Sequence, residues 1–277
     1  MIGSIKQYKN IGDDKMLNKL MKELKKLNTI TKYPSILTYH ELGNKGTVIE
    51  ELTSQNHQLR SEEILEGTEK IDGTNVRIVF CGSDYLIGTR EEFIYAKGDR
   101  VINDKENILL NCISIAERII SENTLSNNEL LVIYGETYGK GIGRGCKNYA
   151  NKDTAFRVFD MWSMSIDKIE ELLNIDLDKL STWRENGNQP YLKIEELKYY
   201  CELYKLEKTP VLFSIKQKDF PTSIKSVYDF LLQFKNTKVA LDLENSGKSE
   251  GFVIRNSDRS YIKKIRFEEY EKTLKVR

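Results

Sequence analysis

The hydrophobic positions change period several times along the chain, and each change marks an element. Residues 13 to 28 place Met16, Leu17, Leu20, Met21, Leu24 and Leu27 on one helical face, with Asp13 and Asp14 leading where the helix dipole favours acidic side chains. The other side of this predicted amphipathic helix is basic and reads as a solvated face, and Pro34 ends the region. Val76 to Phe80 then has the β-branched density of a strand, with Tyr85 to Thr89 as its hairpin partner. Ile108 to Ile120 returns to helical spacing, and Leu130 to Tyr134 is a short apolar run suited to a buried strand. Further on, Ile166 to Leu173, Ile194 to Tyr204 and Ser226 to Phe234 predict helices, Val211 to Phe213 an extended segment, and Asn186-Gly187-Asn188 a loop. No repeat, low-complexity tract or linker interrupts residues 163 to 249, so they are expected to belong to the same domain as the strands before them.

Composition narrows the class. With 277 residues, 39% hydrophobic and 31% charged, the chain can bury a core and solvate its surface. A formal net charge of +1 supplies no global field for nucleic acid, so such binding must use local basic patches. Cys81, Cys112, Cys146 and Cys201 are widely spaced, form no metal-ligand pattern and read as buried, reduced thiols. His40 and His57 are the only histidines and have no visible partners, which argues against a histidine-dependent hydrolase and against a zinc site. Met1 to Lys15 is polar, and no apolar run reaches the roughly 18 residues of a membrane span, so a cytoplasmic protein without membrane association is expected.

The chemistry is concentrated in an ordered series of short motifs. Glu69-Lys70-Ile71-Asp72-Gly73-Thr74-Asn75 is followed by Gly88-Thr89-Arg90, Tyr134-Gly135-Glu136, Phe156-Arg157-Val158-Phe159-Asp160, Glu250-Gly251-Phe252-Val253-Ile254 and Lys264-Ile265-Arg266. A lysine attacks only as the neutral amine, and its ordinary pKa near 10.4 leaves almost none of that form at neutral pH. Nearby cations disfavour its charge, so Lys264, Arg266 or a bound metal close to Lys70 would favour the neutral form and also hold a nucleotide phosphate. Isolated glutamates are usually solvated, but Glu136 and Glu250 sit beside Gly and apolar strand residues, where an unpaired charge is costly.

Together these motifs resemble those of the covalent nucleotidyltransferases, the polynucleotide ligases and messenger-RNA capping enzymes. The resemblance spans roughly residues 33 to 270 and is closest to the phage RNA ligases of the second type. Asn75 stands where DNA ligases and capping enzymes usually carry Arg, Arg90 follows Lys70 at a spacing like that of a ribose-contacting arginine, and Tyr138-Gly139-Lys140-Gly141-Ile142 resembles a loop that follows the second catalytic carboxylate. The chain departs from that type in its extra N-terminal helix, residues 1–32, and in the eleven residues after Arg266, too few for the C-terminal oligonucleotide-binding domain that many relatives carry.

The resemblance implies an α+β nucleotidyltransferase domain over residues 33–277, of the ATP-grasp-like adenylylation type, with mostly antiparallel sheets and flanking helices. It implies an ATP-dependent RNA ligase, acting as a monomer, that joins 5′-phosphate and 3′-hydroxyl RNA ends through lysyl-AMP and adenylylated RNA. A DNA ligase, a GTP-dependent capping enzyme, or a nucleic-acid-binding protein with a degenerate pocket are the alternatives. Asn75 argues against the first two, and the retained Lys70, Glu136, Glu250 and Lys264 against the third. By the same resemblance Lys70 is the nucleophile, the Glu69 backbone helps place adenine, and Asp72 supports the lysine or the metal shell. Asn75 and Arg90 belong to the nucleotide site, Glu136 contacts the ribose or metal waters, and Phe159 stacks on the base. Glu250 is a further metal-shell carboxylate, and Lys264 with Arg266 clamps phosphate. The implied metal is magnesium, or manganese in its place, held by Asp72, Glu136 and Glu250 through water. Strand alternation selects Lys264 over Lys263 for the clamp, because it puts Lys264 and Arg266 on one face. Lys140, Arg144 and Lys147, interspersed with Gly and Tyr, suit a surface that combines phosphate contacts with base stacking.

Overall fold

Between Lys70 and Thr74 the chain passes from one β-sheet to another, and a Cβ at Gly73 would lie 2.2 Å from the Thr137 carbonyl oxygen, so only glycine fits that crossing. The computed structural model describes residues 20–54, 59–101, 108–122, 124–150, 152–242 and 247–276. Its elements are α1 (Leu24–Thr31), β1 (His40–Leu42), β2 (Val48–Leu52), β3 (Ile64–Lys70), β4 (Thr74–Cys81), β5 (Asp84–Thr89), β6 (Phe93–Ala96), α2 (Ile108–Ser121), β7 (Glu129–Gly139) and β8 (Thr154–Ser165). They continue with α3 (Ile166–Leu173), α4 (Leu177–Glu185), α5 (Ile194–Leu203), β9 (Val211–Lys216), α6 (Ile224–Leu232), β10 (Gly251–Arg255), β11 (Ile262–Arg266) and α7 (Phe267–Leu274). One sheet runs β11-β10-β3-β9, the other β6-β5-β4-β7-β8, and β1 pairs with β2; every one of these pairings is antiparallel.

The five-stranded sheet is covered on both faces, which explains the unbroken apolar character of β4 and β7. Val76, Ile78 and Phe80 pack with Cys112 and Ala116 of α2 and Leu197 of α5, while Val79 and Cys81 pack with Leu27 and Ile30 of α1 and Ile169 of α3. Arg77, buried among them, donates to Asn28 on α1 and lies 4.6 Å from the centre of the Phe93 ring, which ties that helix to the sheet. The four-stranded sheet carries a third core in which Phe213, Phe220, Phe230, Phe234 and Phe252 meet at ring-centre distances of 4.9–6.4 Å.

The predicted elements at 76–80, 85–89, 108–120, 130–134, 166–173, 194–204, 211–213 and 226–234 all fall on observed ones, and β9 places residues 211–216 in the sheet of β3. Of the N-terminal helix, Asp13, Asp14, Met16 and Leu17 lie outside the described residues; helix α1 runs on past the predicted end to Thr31, with Leu27 and Ile30 buried in it and Leu20 buried ahead of it. Helix α4 went unpredicted because its buried side chains are only Leu180 and Arg184, too few apolar positions to set a period. Cys81, Cys112 and Cys201 are buried free thiols, whereas Cys146 is half-buried because its loop lies at the surface. His40 is a buried structural residue whose ring nitrogens meet the Tyr270 hydroxyl at 2.7 Å and the Thr222 carbonyl at 2.8 Å; His57 lies outside the described residues.

Gly67 on β3 sits against the phenylalanine core, where an added Cβ would lie 2.2 Å from Phe213 Cζ. The ring is hemmed by Phe230, Phe234 and Phe252 and has nowhere to retreat. Gly67→Ala is therefore expected to destabilise the fold by about 1–3 kcal/mol, read as a lower urea midpoint with an unchanged far-ultraviolet spectrum.

Candidate active site

Both sheets contribute to a cavity of about 210 Å³ lined by Lys70 of β3, Asn75 of β4, Glu136 of β7, Phe159 of β8, and Lys264 and Arg266 of β11, with Arg90 beside them. Register explains the grouping. Gly251 pairs with Lys70 on one side and with Arg266 on the other, so the two cations flank a residue with no side chain. A Cβ there would lie 2.1 Å from the Ile265 carbonyl oxygen, and the backbone has φ +148°, so the position requires glycine. Val253 likewise lies between Thr68 and Lys264 one row along, and Asn75 is the cross-strand neighbour of Glu136.

The charges form a linked set. Lys70 Nζ donates to Glu250 Oε2 at 2.5 Å, the other Glu250 oxygen is 3.6 Å from Arg266, and Arg266 Nε donates to Glu269 at 2.7 Å. Burial, then the neighbouring Arg266 and Lys70 charges, lowers the pKa of Lys264. Glu136 accepts the Gly73 N–H at 3.2 Å, yet burial pushes its carboxyl up to about 7; Glu250 and Asp72 push in the same direction, while Lys70 opposes them. Lys263, by contrast, is fully buried on the other face of β11, bonded to the Ser54 carbonyl at 3.3 Å, and burial brings its pKa down to about 8.

Asp72 and Glu250 line a second, larger cleft of about 680 Å³, while Glu136 lines the first cavity. Among the described residues no group of three or more His, Cys, Asp or Glu is gathered closely enough to ligate a metal directly. The oxygen-donor chemistry of Asp72, Glu136 and Glu250, with the Glu250 and Asp72 charges raising the cost of ionising Glu136, fits a hydrated cation reached through water. The Glu69 side chain turns away from the cavity and accepts the Thr237 hydroxyl at 2.5 Å and the Lys238 N–H at 2.8 Å, leaving its backbone at the cavity wall.

The basic loop needs a correction. Lys140, Arg144 and Lys147 are exposed, but Tyr138 and Tyr149 are fully buried in a small core with Ile71 and Val239, and the Tyr149 hydroxyl accepts the Asp72 N–H at 2.8 Å. These two rings support the motif turn from behind and are not presented for stacking. Sequence reasoning also missed Tyr33, Pro34 and Ile36, Arg255, and the Arg266 partner Glu269. Only the last two carried a local signal: Arg255 continues the alternation of Gly251 and Val253, and Glu269 stands three residues from Arg266 at a helix start.

A family model described as RNA ligase matches residues 63–277, well over half of the chain. The chain belongs to the RNA ligase family. No curated protein matches the chain by sequence. Among solved structures, a lysine-to-alanine mutant of a Naegleria gruberi RNA ligase with ATP and manganese matches with a TM-score of 0.52 at 16% identity, covering 88% of this chain and 64% of that one. The same ligase with pyrophosphate gives 0.51 at 17% identity and the same coverage, and a glutamate-to-alanine mutant with ATP and manganese gives 0.51 at 16% over 95% of this chain and 68% of that one. These likenesses establish a shared α+β fold of antiparallel sheets with flanking helices. In the first comparison this RNA ligase family member spans 64% of the solved chain, less than two thirds of its length.

The raised Glu136 pKa has a consequence for stability. The folded state holds this proton more tightly than the unfolded chain, whose carboxyl titrates near 4.5, so the associated stability is present below that value and is lost as pH climbs through about 7. In metal-free buffer Glu136→Gln should match the wild type at pH 4 and exceed its urea midpoint at pH 8.

Proposed function

We propose that this protein is an ATP-dependent RNA ligase that joins 5′-phosphate and 3′-hydroxyl RNA ends through a lysyl-AMP intermediate on Lys70. The observation that carries this reading is the Lys70 amine beside Glu250, at a cavity shared with Lys264, Arg266 and Glu136. The first step joins Lys70 Nζ to the α-phosphorus of ATP and breaks the bond to pyrophosphate. AMP then passes to an RNA 5′-phosphate, and a 3′-hydroxyl attacks that activated end and releases AMP.

Lys264 and Arg266, fixed on one face of β11, hold the α-phosphate and offset the charge that grows as pyrophosphate departs. Phe159 offers its ring to the base, the Glu69 backbone borders it, and Arg90 and Asn75 complete the nucleotide site. Glu250 holds the Lys70 amine, and only a neutral amine has the lone pair to attack, so nucleotide binding must draw Glu250 off. A divalent magnesium or manganese ion near Asp72, Glu136 and Glu250 would supply positive charge toward both ends, lowering the cost of the neutral amine and of the leaving pyrophosphate. Residues 33–277 act as the adenylylation domain, with helix α1 ahead of it as an extension. Buried free thiols fit a reducing cytoplasm, and among the described residues no helix is long and apolar enough to cross a membrane. We read the chain as a monomer.

Incubation with α-labelled ATP and magnesium should leave label on the denatured protein, and Lys70→Ala should abolish it. Lys264→Ala should slow single-turnover labelling roughly 100-fold or more, while Lys263→Met, which keeps the buried volume, should stay near normal. Absence of label from a folded wild-type preparation free of bound AMP would sink the reading, and preferential labelling by GTP would redirect it to capping chemistry.

The exposed cations of the 140–147 loop are expected to hold RNA phosphates through charge alone. Replacing Lys140, Arg144 and Lys147 by Ala should leave labelling intact, weaken RNA sealing and flatten its dependence on salt concentration. Sealing of an all-DNA nick as fast as an RNA one would contradict the RNA assignment.

A further inference from the structure

The strand pair β4–β7 carries Asn75 and Glu136 at one end and a third cavity at the other. Phe80 lies five residues from Asn75 along β4, and Glu129 seven residues from Glu136 along β7, roughly 17–24 Å of strand. The cavity, about 200 Å³ and close in size to the one that holds Lys70, opens on the sheet face covered by α2 and α5. Phe80 and Leu131 form its floor and belong to the core shared with those helices. Alternation along β7 puts Glu129 on the same face as Leu131 and Ile133, and Ser163, the cross-strand partner of Leu131, shares that face.

The opposite wall is aromatic. Tyr200 of α5 and its capping residue Tyr204 stand one helical turn apart, with ring centres 5.9 Å apart and planes inclined by 27°. Tyr199 sets its ring edge-on to Tyr200 at 5.3 Å and 77°. The helix end is held firmly: Lys205 takes φ +51°, the Leu206 N–H returns to the Cys201 carbonyl at 2.7 Å, and Arg118 of α2 donates to the Tyr204 and Lys205 carbonyls.

Charge decides what this space can hold. Glu129 is the only charged side chain among the described residues that line it. The neighbouring cations are engaged elsewhere, Arg118 with the two carbonyls and Lys205 with Glu122 at 2.8 Å. Burial pushes the Tyr204 hydroxyl up to about 12, and Tyr200, Glu129 and Tyr199 act in the same direction, so the ring stays neutral in a negative field. Glu129 disfavours an anion, and among the described residues no group of three or more His, Cys, Asp or Glu could hold a bare metal ion. A neutral apolar ligand would strip water from the carboxylate and hydroxyls with nothing in return. An organic cation meets every wall: ring faces attract it through their quadrupole, the carboxylate pairs with it, and hydroxyls accept its N–H groups.

We propose that this cavity is a binding site for a primary alkylammonium group, held by Glu129, by the Tyr200 and Tyr204 rings, and by the Ser126 and Ser163 hydroxyls. It shares no lining residue with the cavity around Lys70, so it stands or falls apart from the ligase reading. The same head group ends a free polyamine and a lysine side chain.

The experiment titrates the full chain with n-butylammonium, n-butanol and tetramethylammonium at constant ionic strength, read by calorimetry. n-Butylammonium should bind about tenfold or more tightly than n-butanol, which matches its size without the charge, and more tightly than tetramethylammonium, which has the charge but no N–H. Glu129→Gln, at an exposed position, should weaken n-butylammonium about tenfold and Tyr200→Leu about fivefold, with ATP labelling of Lys70 the same as in the wild type. Spermidine and N-acetyl-lysine methylamide separate the two sources, the tighter binder marking a free polyamine or a peptide lysine. Absence of n-butylammonium binding, or equal affinity for n-butanol, would overturn the proposal. So would unchanged n-butylammonium affinity in Glu129→Gln, which would place the bound cation at another carboxylate.

Discussion

The turn between β3 and β4 runs against β7 as closely as backbones can approach, because Gly73 leaves no side chain in front of the Thr137 carbonyl. Three residues thus join two sheets, with Lys70 ending one strand and Asn75 near the start of the next. The N–H groups on either side of this turn are anchored, Asp72 to the Tyr149 hydroxyl and Gly73 to the Glu136 carboxylate. The position of the lysine relative to Glu136 is therefore set by backbone and hydrogen bonds, ahead of any ligand.

Charge is the second organising constraint. Lys70, Glu250, Arg266 and Glu269 alternate in sign across β3, the residue ahead of β10, β11 and the start of α7, so each partly buried charge has an opposite neighbour. Among the described residues Lys264 joins no ion pair and bears the repulsion of Arg266 and Lys70, which Glu269 partly offsets, while Glu136 bears that of Glu250 and Asp72. Two like-charge tensions, one of cations and one of carboxylates, face the same small space. An anionic phosphate relieves the first and a cation the second.

Much of this was legible in the chain because periodicity and motif order are local properties. The strands around 76–80 and 85–89 and the helix at 108–120 carry dense apolar patterns, and alternation alone put Lys264 and Lys263 on opposite faces of β11. What was not legible depends on contacts between distant residues. Tyr33 meets Asp160 and Arg259 across 127 and 226 positions, and no window of sequence holds all three. Tyr138 and Tyr149 looked available for stacking because a Gly- and Lys-rich loop usually lies exposed, yet their rings fill a small core beneath it. Helix α4 lacked an apolar stripe because it buries an arginine, whose guanidinium donates to the Thr29 carbonyl at 3.1 Å.

Glu69 gives the motif a second face. As strand neighbours, Lys70 serves the cavity while Glu69 points behind it and grips Thr237 and Lys238, in the segment that leads on to Glu250. Burial raises the pKa of this carboxyl, and the two bonds it accepts offset part of that cost. Lys70 and its carboxylate partner Glu250, 180 residues apart in the chain, are thereby fastened to a common rail twice: once through the β3–β10 ladder and once through this clasp. The Glu69 side chain, turned away from the cavity, thus sets the play between Lys70 and Glu250, and substitutions at Thr237 and Glu69 would be tolerated together more readily than apart.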